Sequence, residues 1–165
     1  MDVRQLQRPL KQQYRADPSS AIITLRATGA QGGAPIACSV DVGRAVHEAQ
    51  AHKGVGGAGT AACSGDMLLG ALAACAQVTC QMVAAAMGIE TQRIGVEVEG
   101  DLDLRGTLGI DSDTPVGFQS IRLRFDIEAL GVEPEQLESL REKTTRYCVV
   151  LATLQQPPPV EVTWA

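Results

Sequence analysis

Residues 67–89 read MLLGALAACAQVTCQMVAAAMGI, 23 positions without a charged side chain, bounded by Asp66 and Glu90. A run of that length is either a bilayer span or a helix buried at the centre of a soluble protein. Its composition favours the second. Alanine dominates, Gln77, Thr79 and Gln81 interrupt it, and no Lys or Arg cluster flanks it to set an orientation. Asp66 lies where an acid favours the start of a helix, and Gly88 fits a C-terminal stop. Cys75 and Cys80 sit inside the run, five apart and so about 140° around a helix, which keeps them off a common face. Cys75 shares its side with Leu68, Leu72, Thr79 and Met82.

Downstream the pattern changes to alternation. Ile94, Val96, Val98, Leu102 and Leu104 face one way, and Glu97, Glu99, Asp101 and Asp103 the other. After a turn from Thr107 to Pro115, Ile121, Leu123, Phe125 and Ile127 alternate with Arg122, Arg124, Asp126 and Glu128. The arginines and carboxylates are placed to pair across the wet face of an antiparallel hairpin. Pro134 suits the first turn of a second helix. Along it Leu137, Leu140, Thr144 and Tyr147 or Cys148 recur on one face, which carries Cys148 to the buried side. Pro157, Pro158 and Pro159 end that pattern, and Val160, Val162 and Trp164 predict a last strand.

Upstream, Ala21 to Thr28 predicts a strand and Pro35 to Val42 its partner, joined by a loop over Gly29 to Gly33. RAVHEAQAHK, residues 44–53, predicts a short helix, and the glycine-rich residues 54–65 an irregular segment. That segment lacks the spacing of a phosphate-binding loop. The order ββαββαβ is that of an α+β protein, an antiparallel sheet packed on a long central apolar helix. One sheet cannot cover a helix that is apolar all round. A second copy, in a symmetric homodimer, is the expected cover.

At 165 residues the chain is expected to be a single domain, with residues 1–19 as an N-terminal extension. A net charge of −5 and only five aromatic residues argue against a nucleic-acid partner, which wants a basic face and stacking platforms. The first 20 residues contain no apolar leader core, so the expected location is cytoplasmic, with no membrane partner. Cys38, Cys63, Cys75, Cys80 and Cys148 form no CxxC motif, and His47 and His52 lie at no finger-like spacing from them. A metal site assembled from Cys63, Cys75, Cys148 and a histidine therefore has no support, and no cofactor is expected. Composition alone makes each cysteine a small buried hydrophobe, and Cys38, Cys63 and Cys80 keep that reading.

Residues 64–79 (SGDMLLGALAACAQVT), then 146–154 (RYCVVLATL) and 159–164 (PVEVTW), resemble the OsmC/Ohr family of thiol-dependent hydroperoxide reductases. Residues 96–106 (VEVEGDLDLRG) and 117–129 (GFQSIRLRFDIEA) resemble that family's central hairpin, so the likeness runs from about Ile22 to Trp164. It implies an OsmC-like fold and an intertwined dimer whose long central helices pack together. It also implies a two-cysteine peroxidase that reduces organic hydroperoxides as an antioxidant in a stress response. By the resemblance Cys75 is the peroxidatic residue and Cys148 the resolving one, joined in a redox-active disulfide that an external dithiol reduces.

The chain departs from the family pattern at three points. Ohr-type members carry a glutamate ten residues before the first cysteine, where this chain has Gly65, with Asp66 next to it. A TGGR-like loop supplies their activating arginine. Here the loop is Thr28-Gly29-Ala30-Gln31-Gly32, with Gln31 in the arginine's place. After the second cysteine, Val149-Val150-Leu151 replaces the usual Pro-x-Ser. Asp66, Gln31 and Arg26 are the candidates to activate the thiol, with Arg44 a further substitute. The alternative expectation is a non-catalytic dimer that binds a small apolar ligand or a protein partner.

Overall fold

The computed structural model describes residues 3–31, 37–43 and 45–164. Of the expected loop at 29–33, residues 32–33 lie outside them and Gly29 to Gln31 are strand instead; Pro35 and Ile36 of the expected second strand and Arg44 also lie outside. The chain forms α1 (Val3–Ala16), β1 (Thr28–Gln31), β2 (Ala37–Asp41), β3 (Val46–Gln50), α2 (Ser64–Met87), β4 (Thr91–Asp101), α3 (Leu104–Thr107), β5 (Ser120–Ala129), α4 (Pro134–Tyr147) and α5 (Val149–Gln155). This is an α+β architecture with two small antiparallel sheets, β1-β2-β3 and β4-β5, and one long helix. Two compact units interleave along the sequence. One holds the described residues of 8–70 and 99–122, the other those of 1–7, 71–98 and 123–165.

In the first unit β2 pairs with both neighbours, from Thr28 opposite Asp41 on one side to Asp41 opposite Val46 on the other. The segment expected as a short helix is thus the third strand. Its Ala, Glu and Gln content suits a helix, but the hydrogen bonds offered by the free edge of β2 override that weak preference. The first strand also begins later than expected. Residues 22–27 are irregular, and Ile22, Ile23 and Leu25 stand in solvent. Asp101 ends β4, and Leu104, expected to continue its alternation, opens α3 under the Asp103 cap instead.

The start of α2 belongs to this unit and is closed by a reciprocal pair. The Cys63 N–H donates to Asp66 Oδ2 at 2.9 Å, and the Asp66 N–H donates to Cys63 Sγ at 3.5 Å. That is a capping box with a cysteine in the usual serine's place. Arg122 on β5 reaches Glu99 Oε2 at 3.1 Å and also pairs with Asp101, which holds the Asp101 carboxyl down at about 2.

In the second unit the remainder of α2 buries Leu72, Ala76, Thr79, Cys80 and Ala84, a stripe along one face. Cys80, Ala84, Ile89 and Leu140 form the core, with Ile94, Phe125 and Ile127 packed on it. The opposite face of α2, Ala71, Ala74, Val78, Met82 and Ala85, is exposed. The helix is therefore covered on one side of this chain only. It is long and apolar enough to cross a bilayer by length and composition, a test that a core helix also passes.

A left-handed Gly88, φ +73°, stops α2. The Ile89 N–H donates to the Ala84 carbonyl at 2.9 Å and the Gly88 N–H to the Ala85 carbonyl at 3.2 Å, a Schellman motif. Arg4 Nε of α1 donates to the next carbonyl, Ala86, at 2.6 Å. Along β4 and β5 the expected cross-strand charges do meet. Arg93 contacts Asp126 at 2.6 Å and Glu128 at 2.5 Å, all on the exposed side. Residues 157–164, whose alternation predicts a last strand, join no sheet among the described residues, and Trp164 is 91% exposed. An alternating apolar segment becomes a strand only where an edge is offered to it.

Candidate active site

The site is built where α2 meets the break between α4 and α5. Leu140 and Thr144 anchor α4 by burial, and one turn later the same face delivers Cys148, 1% exposed. There the helical pattern stops. Cys148 has φ −73° and ψ 105°, an extended conformation, and α5 restarts at Val149. The first N–H groups of a helix have no partner within it, so the break leaves the amides of Val149 and Val150 available.

Facing them is Cys75, half-buried on α2. The Val150 N–H, the Cys148 thiol, the Thr79 hydroxyl and the Val149 N–H are the polar donors near its sulfur. Burial is the largest single influence and opposes ionisation, but the four donors together outweigh it and hold Cys75 below the ordinary thiol value. Cys148 moves the other way. Burial pushes it up, the N–H groups of Leu151 and Val150 oppose this, and donation to the Cys75 sulfur adds to the rise. The two sulfurs are unbridged neighbours whose proton affinities shift in opposite directions, Cys75 down and Cys148 up. A depression of about 400 Å³, lined by Arg146, Tyr147, Cys148, Val149, Thr153 and Gln156 among others, opens beside Cys148.

Sequence reasoning does not reach Thr79 or the two amides as partners of the sulfur. Thr79 stands one helical turn after Cys75, which is a usable signal. Main-chain donors leave no mark on side-chain pattern, although a residue other than proline at 149 is required for that N–H to exist.

The expected activators are placed as follows. Asp66 directs its carboxylate to the Cys63 N–H, which holds it below the usual carboxylate value. Arg26 lies in the irregular, exposed segment 22–27. Gln31 ends β1, and its side chain falls outside the described residues. Cys80 points into the core beside the Thr144 hydroxyl, and burial pushes its thiol up. Cys38 lies on β2, opposite Ala49 of β3. Among the described residues no three of His, Cys, Asp and Glu gather as a metal cage.

A comparison with curated proteins gave no match. Among solved structures the chain is similar to an OsmC-like protein from Mycoplasma pneumoniae, with a TM-score of 0.67, 17% identity, and coverage of 82% of this chain and 89% of that one. An organic hydroperoxide resistance protein from Elizabethkingia anophelis gives 0.58 at 24% identity, covering 82% and 91%. One from Legionella pneumophila gives 0.59 at 19%, again covering 82% and 91%. At these identities the likeness is one of fold. Membership rests on the sequence match to OsmC-like protein over residues 57–163, which takes in α2, the hairpin and both cysteines of the pair. The chain belongs to the OsmC-like protein family.

Proposed function

We propose that the protein is a thiol-dependent peroxidase that reduces organic hydroperoxides with Cys75 and Cys148. The observation that carries this reading is the contact between two thiols whose proton affinities are driven apart. Names of two structural neighbours, the hydroperoxide resistance proteins, agree with it.

In the first step the Cys75 thiolate attacks the terminal peroxide oxygen. The S–O bond forms as the O–O bond breaks, and the departing alkoxide takes a proton to leave as an alcohol. Sulfur is oxidised to sulfenic acid, and the peroxide is reduced by two electrons. Cys148, protonated and in contact, then displaces the hydroxyl, so that the Cys75–Cys148 disulfide forms and water departs. An external dithiol returns the pair to the reduced state by two exchanges. The apolar run of α2 around Cys75 favours an alkyl or aryl peroxide over hydrogen peroxide. A cytoplasmic setting suits this chemistry, because disulfides there are transient and catalytic.

The same reading includes a homodimer. The uncovered apolar face of α2 and the exposed apolar segments at 22–27 and 157–164 are what a second copy would cover.

Reduced protein treated with about one equivalent of cumene hydroperoxide should form a Cys75–Cys148 disulfide within seconds, read by peptide mass spectrometry under non-reducing conditions. Cys75→Ser should abolish peroxide consumption. Thiols unchanged after many minutes, or activity surviving in Cys75→Ser, would refute the proposal.

A further inference from the structure

Thr144 stands on a face of α4 that is otherwise apolar, with buried Leu140 one turn before it and buried Cys148 one turn after. Packing alone would be served as well by valine, which has the same shape. Thr144 is 2% exposed, and its hydroxyl has no hydrogen-bond partner among the described residues. The Leu140 carbonyl, the usual acceptor for a threonine within a helix, does not take it, and neither does the Cys80 thiol. A buried hydroxyl without a partner is costly, and folded proteins satisfy nearly all of them.

The surroundings of this hydroxyl supply a partner. Between α2, β5 and α4 the second unit holds a cavity of about 40 Å³, lined by Cys80, Phe125, Ile127, Arg141, Thr144 and Thr145. One water needs roughly 10–15 Å³ of such space, whereas a benzene-sized molecule needs on the order of 150 Å³. The cavity therefore admits water and excludes an organic ligand of several atoms. A bound water also needs polar partners, about two to four of them. The Thr144 hydroxyl and the Cys80 thiol provide them on the inner side, where both residues are buried. Arg141 and Thr145, exposed and on the same face of α4 as Thr144, provide them toward solvent.

We propose that this cavity is an internal hydration site, in which one ordered water bonds the Thr144 hydroxyl between Cys80 and the Arg141–Thr145 mouth. The site goes beyond the thiol chemistry, and neither Cys75 nor Cys148 lines it. A polar anchor of this kind gives α4 a single rotation about its axis, which an apolar stripe alone specifies less sharply.

Crystals of the full chain grown with bromide provide the test. One water peak should lie about 2.8 Å from Thr144 Oγ1, without anomalous signal. An anomalous bromide peak would give the cavity to an anion drawn by Arg141 and overturn the proposal. Featureless density, or a hydroxyl turned onto the Leu140 carbonyl, would overturn it as well. Thr144→Val gives an independent reading, because valine keeps the shape and nearly the helix propensity and removes only the hydroxyl. With water bound, the variant strips that water of a partner, and its Tm should fall by about 3 °C. A dry cavity predicts the opposite, since valine then removes an unsatisfied group. A Tm at or above the wild-type value would therefore overturn the proposal. If Thr144→Val fails to fold by circular dichroism, the wild-type density decides alone. Neither measurement depends on whether the protein consumes hydroperoxide.

Discussion

Cys75 is subject to opposed influences, and the balance between them decides what the pair does. Burial alone would keep it protonated, as it keeps Cys80, whose only counterweight is the Thr144 hydroxyl. Four donors reverse the outcome at Cys75, and one of them, the Cys148 thiol, loses acidity in the exchange. Cys148→Ala removes a donor and the resolving thiol together. The variant should undergo a single turnover and leave a Cys75 sulfenic acid, trapped by dimedone and seen by mass spectrometry. The sign of the pH effect follows from the direction of the shift. With its value lowered, wild-type Cys75 stays a thiolate as pH falls below the ordinary thiol range and loses reactivity only below its own value. In Cys148→Ala that loss should come at a higher pH. An unchanged alkylation profile would remove Cys148 from the activating set.

At the scale of elements, what can be read from sequence is what side chains encode directly. The uncharged run and its glycine stop define α2, and strict alternation defines β4 and β5, whose arginines and carboxylates meet as the pattern demands. Residues 46–50 mislead because their composition suits a helix while the edge of β2 requires a strand. The helical face through Leu140, Thr144 and Cys148 is legible, but the break at Cys148 is not, since both sides of it continue the same apolar spacing. For the same reason the family resemblance can name the two cysteines while the helix break beside them stays hidden. The glycine stop offers a direct test. Gly88 has φ +73° and no atom near the position of an added Cβ, so Gly88→Ala meets backbone strain and no clash. It should cost about 1 kcal/mol in urea denaturation, with the denaturant slope unchanged. A neutral result would mean that the end of α2 unwinds readily to accommodate alanine.

For the whole molecule the governing fact is an imbalance of covering. The second unit buries Leu72, Ala76, Cys80 and Ala84 on one side of α2 and leaves Ala71, Ala74, Val78, Met82 and Ala85 bare on the other, with Val78 51% exposed. An isolated helix face of this kind exposes apolar area that soluble monomers avoid, and its small side chains allow another helix close approach. Two-fold symmetry meets the demand, because one stripe packed on its own copy covers both at once. The exposed strand-like segments at 22–27 and 157–164 offer hydrogen-bonding edges to the same second copy. The wild-type protein should therefore sediment at about twice the 17.4 kDa chain mass. Val78→Asp places a charge where the two stripes would meet, but at a position that a lone chain leaves in solvent. It should shift the protein to the 17.4 kDa species in analytical ultracentrifugation while retaining its helical circular dichroism. A wild-type monomer at micromolar concentration would refute the dimer. A Val78→Asp dimer would move the interface elsewhere, to the unpaired segments.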